Sequence, residues 1–293
     1  MRRGWLLICA LLASMLAGCL STSSVRPKNW FERLRPFQGP TGPDVVTMDI
    51  AILDCPLGDH YINQELWSRA DEQVIELERK ALLEENGLRV GQVGGIAPAE
   101  LQALLTSERT NGKPRRIMLH AGHSTTIELG PPLPVCNIDV HAEGKDRALG
   151  IVEAECQFEV TPSLSKDGRT RLHFAPKIQH GAAALIPRPA ADRSCWEYRS
   201  QRPTETFTTL GWEVTLAPNE YVIIGGRYDR PGTLGHEFFL RKDGTPAQKL
   251  IVIRTGRSAD AVEVADSSGG ERKAAPLAIQ AAYTVTRGQG RDQ

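Results

Sequence analysis

Apolar positions in this chain recur with two periods, and the changes of period divide it. Val46, Met48, Ile50 and Ile52 alternate with Thr47, Asp49, Ala51 and Leu53. That spacing of two, rich in β-branched residues, predicts a mostly buried strand over Val45–Leu53. Between Asn63 and Asn86 the interval lengthens. Trp67, Ala70, Val74, Leu77 and Ala81 recur at helical spacing, with Glu72, Glu76, Arg79, Lys80 and Glu84 largely turned away. One long amphipathic helix is predicted there, capped by Asn63, stopped at Asn86-Gly87, its charges forming a solvated face. Leu88–Val93 predicts a short strand and Pro98–Leu105 a short helix with Pro98 in its first turn.

Beyond residue 115 the period of two dominates. Strands are predicted at Arg116–Ala121, Thr125–Leu129, Ile138–Ala142, Ile151–Thr161, Thr170–Gln179, Thr206–Leu216, Glu220–Gly225, Glu237–Leu240 and Lys249–Arg254. Lys166-Asp167-Gly168 and Lys242-Asp243-Gly244 supply turns between them. Phe158, Val160, Leu172 and Phe174 flank the first turn and predict a hairpin with one buried face. Residues 181–203, rich in Ala, Pro and Arg, read as a long loop. From Ser258 the chain is polar, a mobile tail with one late strand at Ala278–Thr286. The fold class that follows is mainly β with α+β character: antiparallel sheets and one long helix near the N-terminus.

The first 43 residues break both periods. Arg2 and Arg3 precede an apolar run from Trp5 to Met15 that is too short to span a bilayer. Leu16-Ala17-Gly18-Cys19 follows, and this block resembles the lipobox of bacterial lipoproteins. The resemblance implies a signal peptide over residues 1–18, removed on export, and a lipid on the Cys19 thiol. Several acyl chains anchor stably where one does not, at about 0.8 kcal/mol per buried methylene. Residues 19–43 then read as a lipid-anchored tether, since Gly39-Pro40-Thr41-Gly42-Pro43 holds no regular structure. Leu20 in place of Asp after the lipidated position is similar to lipoproteins sorted to an outer membrane.

Charge and motifs exclude more than they assign. Without Arg2 and Arg3 the chain keeps 33 of its 35 Lys+Arg against 35 Asp+Glu, so it is nearly neutral and carries no nucleic-acid footprint. No GxSxG elbow, HExxH pair or P-loop is present, so no enzyme, cofactor or metal is expected. His120 and His123, three apart in an extended chain, are expected on opposite faces and unable to clamp one ion. Cys55, Cys136, Cys156 and Cys195 remain in the exported part. One or two disulfides among them suit an oxidising compartment, and free thiols in the core suit the spacing equally.

Read in order, the β-rich blocks resemble the C-terminal domain of bacterial secretins, the ring-shaped outer-membrane channels of type II and type III secretion and type IV pili. The blocks are Val46–Asp54, Arg116–Gly130, Gly150–Pro162 with its Val-Thr-Pro ending, the hairpin through Asp167-Gly168 to Pro176, Thr206–Gly226, Leu234–Phe238 and Lys249–Thr255. Arg254-Thr255-Gly256-Arg257 departs from the family's usual proline after the threonine, and the periplasmic modules that precede this domain in secretins are replaced by the tether. The resemblance implies a secretin-like domain over residues 44–257 and a non-enzymatic role: self-association, or association with secretion-system proteins, at the outer membrane or its periplasmic face. A monomeric β-rich envelope lipoprotein with a ligand-binding or structural role is the alternative, and an exported hydrolase a third. Gly130, Gly225 and Gly226 are expected at close backbone approaches, bends or simple turns.

Overall fold

The computed structural model describes residues 40, 42–142, 144–189, 195–241 and 244–257. The lipidation position Cys19, nearly all of the expected tether and the segment Ala278–Thr286 lie outside the described residues.

In chain order the strands and helices are β1 (Val45–Pro56), α1 (Leu66–Arg69), α2 (Leu77–Glu85), β2 (Leu88–Val93), α3 (Ala99–Thr106), β3 (Arg115–His120), β4 (Thr125–Glu128), β5 (Leu133–Ala142), β6 (Lys145–Leu164) and β7 (Thr170–Gln179). After these come β8 (Ala184–Pro189), β9 (Trp196–Gln201), β10 (Thr204–Thr206), β11 (Trp212–Leu216), β12 (Tyr221–Gly226), α4 (Leu234–Phe239), β13 (Leu240–Arg241) and β14 (Ala247–Arg257). Among the described residues every ladder is antiparallel, with one isolated parallel bridge between Asp139 and Thr233. The first sheet runs β2-β12-β14-β1-β3, with β13 on the end of β14; the second runs β10-β7-β6-β4, with β11 on β7 and β5 on β6.

The first sheet is buried on both faces. Ala51, Leu53, Ile223, Leu250 and Val252 meet α1 and α3 through Leu66, Trp67, Leu101 and Leu105. The opposite parity, Val46, Met48, Ile50, Val222, Ile224, Ile251 and Ile253, faces the second sheet. Between the sheets Phe158 is fully buried, its ring 5.6 Å from Trp212 and 5.4 Å from Phe238. Strands apolar on both sides are what a sheet in the middle of three layers requires.

The long helix predicted over Asn63–Asn86 is broken. A π-helical turn at Tyr61–Glu65 leads into α1, Ala70 is extended, and a 3-10 turn at Glu72–Val74 precedes α2. The break is set by β2. The Asp71 backbone exchanges two hydrogen bonds with Gln92 (2.7 and 2.9 Å), covering part of an otherwise open sheet edge. Arg89 stacks over Trp67 at 4.4 Å and donates to Glu72, fixing the interrupted segment to that strand. The start also shifts: the Asp59 side chain accepts from Ile62 N, ahead of the expected cap at Asn63.

Three other expectations are corrected. Glu237–Leu240 is not a strand; α4 occupies Leu234–Phe239 because Leu234 and Phe238, one helical turn apart, both enter the core. Thr206–Leu216 is interrupted by a 3-10 turn at Thr208–Leu210. Residues 181–203 contain the paired strands β8 and β9 rather than a loop throughout.

Candidate interaction surface

Among the described residues, β8 and β9 pair only with each other. Leu185 lies opposite Ser200, Pro187 opposite Tyr198 and Pro189 opposite Trp196. Opposed residues share a face, so Leu185, Pro187, Pro189, Trp196 and Tyr198 make one largely apolar face, while Ala184, Ile186, Arg188 and Glu197 make a mixed face on the other side. That apolar face is open to solvent: Leu185 is 69% exposed, Trp196 70% and Tyr198 70%. The prolines restrict how it is used. With no N–H to give the ladder, Pro187 and Pro189 occupy non-hydrogen-bonded positions, and of the donors that would point out from β8 only that of Leu185 remains. The outer edge of β8 is therefore poor at recruiting a further strand, and the hairpin is left to act through its face.

The root of the hairpin is clasped by one side chain. Arg202 donates from Nε to Gly181 O (2.9 Å), from one terminal nitrogen to the Glu155 carboxylate (2.9 Å) and from the other to Glu153 O (2.6 Å). Gly181 N in turn donates to Val152 O at 3.2 Å. The acceptors converge because β6 changes partner here: it pairs with β5 as far as Ala154 and with β7 from Glu155. Glu153, at the change, has a φ of 53°, a left-handed conformation uncommon for a side-chain-bearing residue. Nothing in the composition of residues 181–203 announces this clasp. The alternation Leu185-Pro187-Pro189 and Trp196-Tyr198-Ser200 is the legible signal for the strands.

Beside the root lies a cavity of about 450 Å³ walled by Pro131, Pro132, Leu133, Val135, Phe238 and Leu240, with Glu237, Arg241 and Lys249 also on its lining. Val135 pairs with Val152 on β6, and both are largely exposed, at 60% and 62%.

The glycines singled out from sequence sit at close approaches, none with a positive φ. A methyl group on Gly226 would lie 2.6 Å from the Gly235 carbonyl oxygen and 2.8 Å from Phe239 Cβ. One on Gly225 would lie 3.1 Å from the Trp67 ring. At Gly130 the space is taken by the Lys249 ammonium, which donates to Leu129 O. The four cysteines are thiols: Cys136 and Cys156 lie side by side in the core, Cys55 is buried in the other cluster, and Cys195 is exposed just ahead of β9. Burial, aided by Asp59 and Asp54, pushes the Cys55 thiol up to about 12. A hydrogen bond with Cys136, then burial, raises Cys156 well above its ordinary value. Thiols so raised stay protonated at neutral pH and make poor nucleophiles.

His120 and His123 are not on opposite faces. A turn in which His123 N donates to His120 O brings their rings to 5.9 Å, and Asp44 bonds His120 Nδ1 at 2.9 Å. Among the described residues no group of three or more His, Cys, Asp or Glu is placed to hold a metal ion. A second cleft, about 790 Å³, mixes Arg79, Arg171 and His173 with Glu76, Glu213 and Glu220, and Arg171 on β7 pairs with Glu213 on the adjacent β11 at 3.7 Å. No helix among the described residues is long and apolar enough to cross a membrane, which leaves strands out of account.

No family model matches the chain, and no curated protein matches it. Among solved structures it is similar to the InvG secretin domain β-barrel from the Salmonella SPI-1 injectisome NC-base, at 10% identity over 77% of this chain, with a TM-score of 0.18. The chain covers 66% of that structure, just under two thirds. A TM-score so low does not establish a shared fold; the mainly antiparallel β architecture rests on the ladders themselves.

Proposed function

We propose that this chain is a non-enzymatic, secretin-like envelope lipoprotein, a component or accessory of a protein secretion or pilus assembly at the outer membrane. A lipid on Cys19 anchors it, and it works by binding itself or secretion-system proteins. The observation that carries the reading is the β8–β9 hairpin, whose apolar face is uncovered in the single chain. A protein that leaves Trp196 and Tyr198 in water has a use for them at an interface. The ordered secretin-like blocks of the sequence point to an assembly of like subunits. The blunted edge of β8 weighs against a continuous wall of hairpins, so the accessory role is the better fit.

Native mass spectrometry and electron microscopy of the detergent-extracted, lipidated protein test this reading. A closed multi-subunit ring, or retention of a secretion-system protein, is expected; a monomer at every concentration with nothing bound refutes it. Cys19→Ser releases the chain into soluble fractions, and membrane association that survives the substitution counts against the anchor.

A further inference from the structure

The apolar hairpin face and the proline-walled cavity are suited to each other but out of each other's reach within one chain. The cavity adjoins the hairpin's root: Val135 lines it, Val152 pairs with Val135, and Val152 O holds Gly181. Trp196 lies at the other end, opposite Pro189, five residues from Ala184. At about 3.3 Å per residue that is roughly 17 Å along the strand. A hairpin clasped by Arg202 thus carries Trp196 away from its own cavity.

The occupant of the hairpin face is a protein surface rather than lipid. Among the described residues, the outer edges of β8 and β9 pair with no other strand. Such a ribbon is excluded from hydrocarbon, where every backbone polar group needs a partner and only closed barrels satisfy strands. The prolines of β8 hinder closure of such a barrel by neighbouring hairpins. A cavity of about 450 Å³ is of the size that takes one large organic group. Its lining also suits an indole: apolar walls from Pro131, Leu133 and Phe238, with the Arg241 guanidinium available to lie over a ring face. Trp196 and Tyr198 together offer on the order of 300 Å² of the roughly 800 Å² per partner that a stable interface buries. Leu185 on the hairpin and Val135 and Val152 beside the cavity add to it.

Resting on the self-association proposed above, we infer that Trp196 of one copy seats in the cavity beside Val135 of the next copy. Donor and acceptor are different patches of one chain, so the contact is head-to-tail and propagates to a ring or a filament.

The exposed Cys195, adjacent to Trp196, provides the probe. In the full-length lipidated chain, Val135→Cys treated with dipyridyl disulfide forms cross-links between Cys195 of one copy and the introduced thiol of the next. These appear as a ladder on a non-reducing gel. Leu77→Cys, at a position 80% exposed on α2, does not form them. Trp196→Ala weakens self-association about 30-fold, the loss expected for a central tryptophan. It leaves the thermal transition in place, because the side chain is largely exposed in its own chain. A wild-type oligomer that Trp196→Ala leaves intact, with no ladder from Val135→Cys, overturns this contact and leaves the proposed function standing. A wild-type monomer at all concentrations removes both. Binding of the Cys19→Ser chain to phosphatidylglycerol vesicles that is lost on adding Trp196→Ala, without any ladder from Val135→Cys, assigns the hairpin to lipid and likewise overturns the contact.

Discussion

Replacing Arg202 with alanine tests whether the hairpin is a held element or a loose one. The wild-type guanidinium makes hydrogen bonds of 2.9, 2.9 and 2.6 Å to Gly181 O, Glu155 and Glu153 O. Bonds to charged groups contribute about 1.5–3 kcal/mol each when buried. This site is partly open, with the Arg202 and Glu155 side chains 23% and 18% exposed, so solvent recovers much of that. The root is expected to lose about 2–3 kcal/mol in total. The loss falls on local opening, because β8 and β9 contribute no residue to either core cluster. Hydrogen exchange at Gly181, whose amide is bonded to Val152 O, reads it directly. Arg202→Ala speeds that amide about 30- to 160-fold while amides of β1 and β14 keep their protection. Arg202→Lys recovers only part, since a point ammonium cannot serve three divergent acceptors in a fixed fork. Unchanged protection at Gly181 in Arg202→Ala, or full recovery by lysine, refutes the clasp.

Asn86 is fully buried and bonds His141 from both ends of its amide, Oδ1 accepting from His141 N at 2.9 Å and Nδ2 donating to His141 O at 2.7 Å. Asn86→Ala strands both backbone groups and lowers stability by about 2–4 kcal/mol in urea titrations; a change below about 1 kcal/mol contradicts the network. Gly226→Ala forces a methyl against the Gly235 carbonyl and lowers the urea midpoint by the equivalent of about 1–3 kcal/mol, and an unchanged midpoint is the contrary result. In maleimide labelling at about pH 7 followed by peptide mapping, Cys195 reacts and Cys55, Cys136 and Cys156 stay unlabelled until denaturant is added; rapid labelling of Cys156 is incompatible with its burial. The Arg227 hydrogen bond holds the Asp229 carboxyl below its ordinary 3.8. A depressed carboxylate stabilises fully above its unfolded value and loses that contribution as pH falls through the folded one. Asp229→Asn therefore reduces the stability lost below about pH 4, measured as urea midpoints between about pH 2.5 and 6; an unaltered acid slope argues against the pair.

Where one structural demand acts on a segment, the sequence is readable. β2 and β7 span the residues that alternation predicts, because each strand's pattern, turn signals and burial agree. The hairpin through Asp167-Gly168 registers Val160 with Phe174 as the apolar spacing requires. Over Asn63–Asn86, helical spacing competes with the edge of β2, and the bonds between Asp71 and Gln92 prevail. Those are long-range backbone bonds, invisible to a local period. Glu237–Leu240 fails for a related reason. Four residues are too few to separate a strand from a helical turn, and the deciding contact, Gly235 against the Gly87 carbonyl, joins residues nearly 150 positions apart. The candidate surface is hidden by composition, since prolines in residues 181–203 suggest a loop until their spacing of two is noticed. The expectation for His120 and His123 fails because the turn between them cancels the alternation of an extended chain.

The place of β14 has a temporal consequence. It lies between β1 and β12 at the middle of the first sheet, with Val46 opposite Arg257 and Val222 opposite Ile253. Until the last of these residues leaves the ribosome, β1 and β12 have no strand between them. The sheet therefore closes last at its centre, joining parts of the chain some two hundred residues apart, an arrangement that folds slowly. The second sheet, whose strands all precede β14 and pair among themselves, does not wait for this closure. A stop codon anywhere before residue 247 removes the keystone of the sheet rather than a peripheral strand.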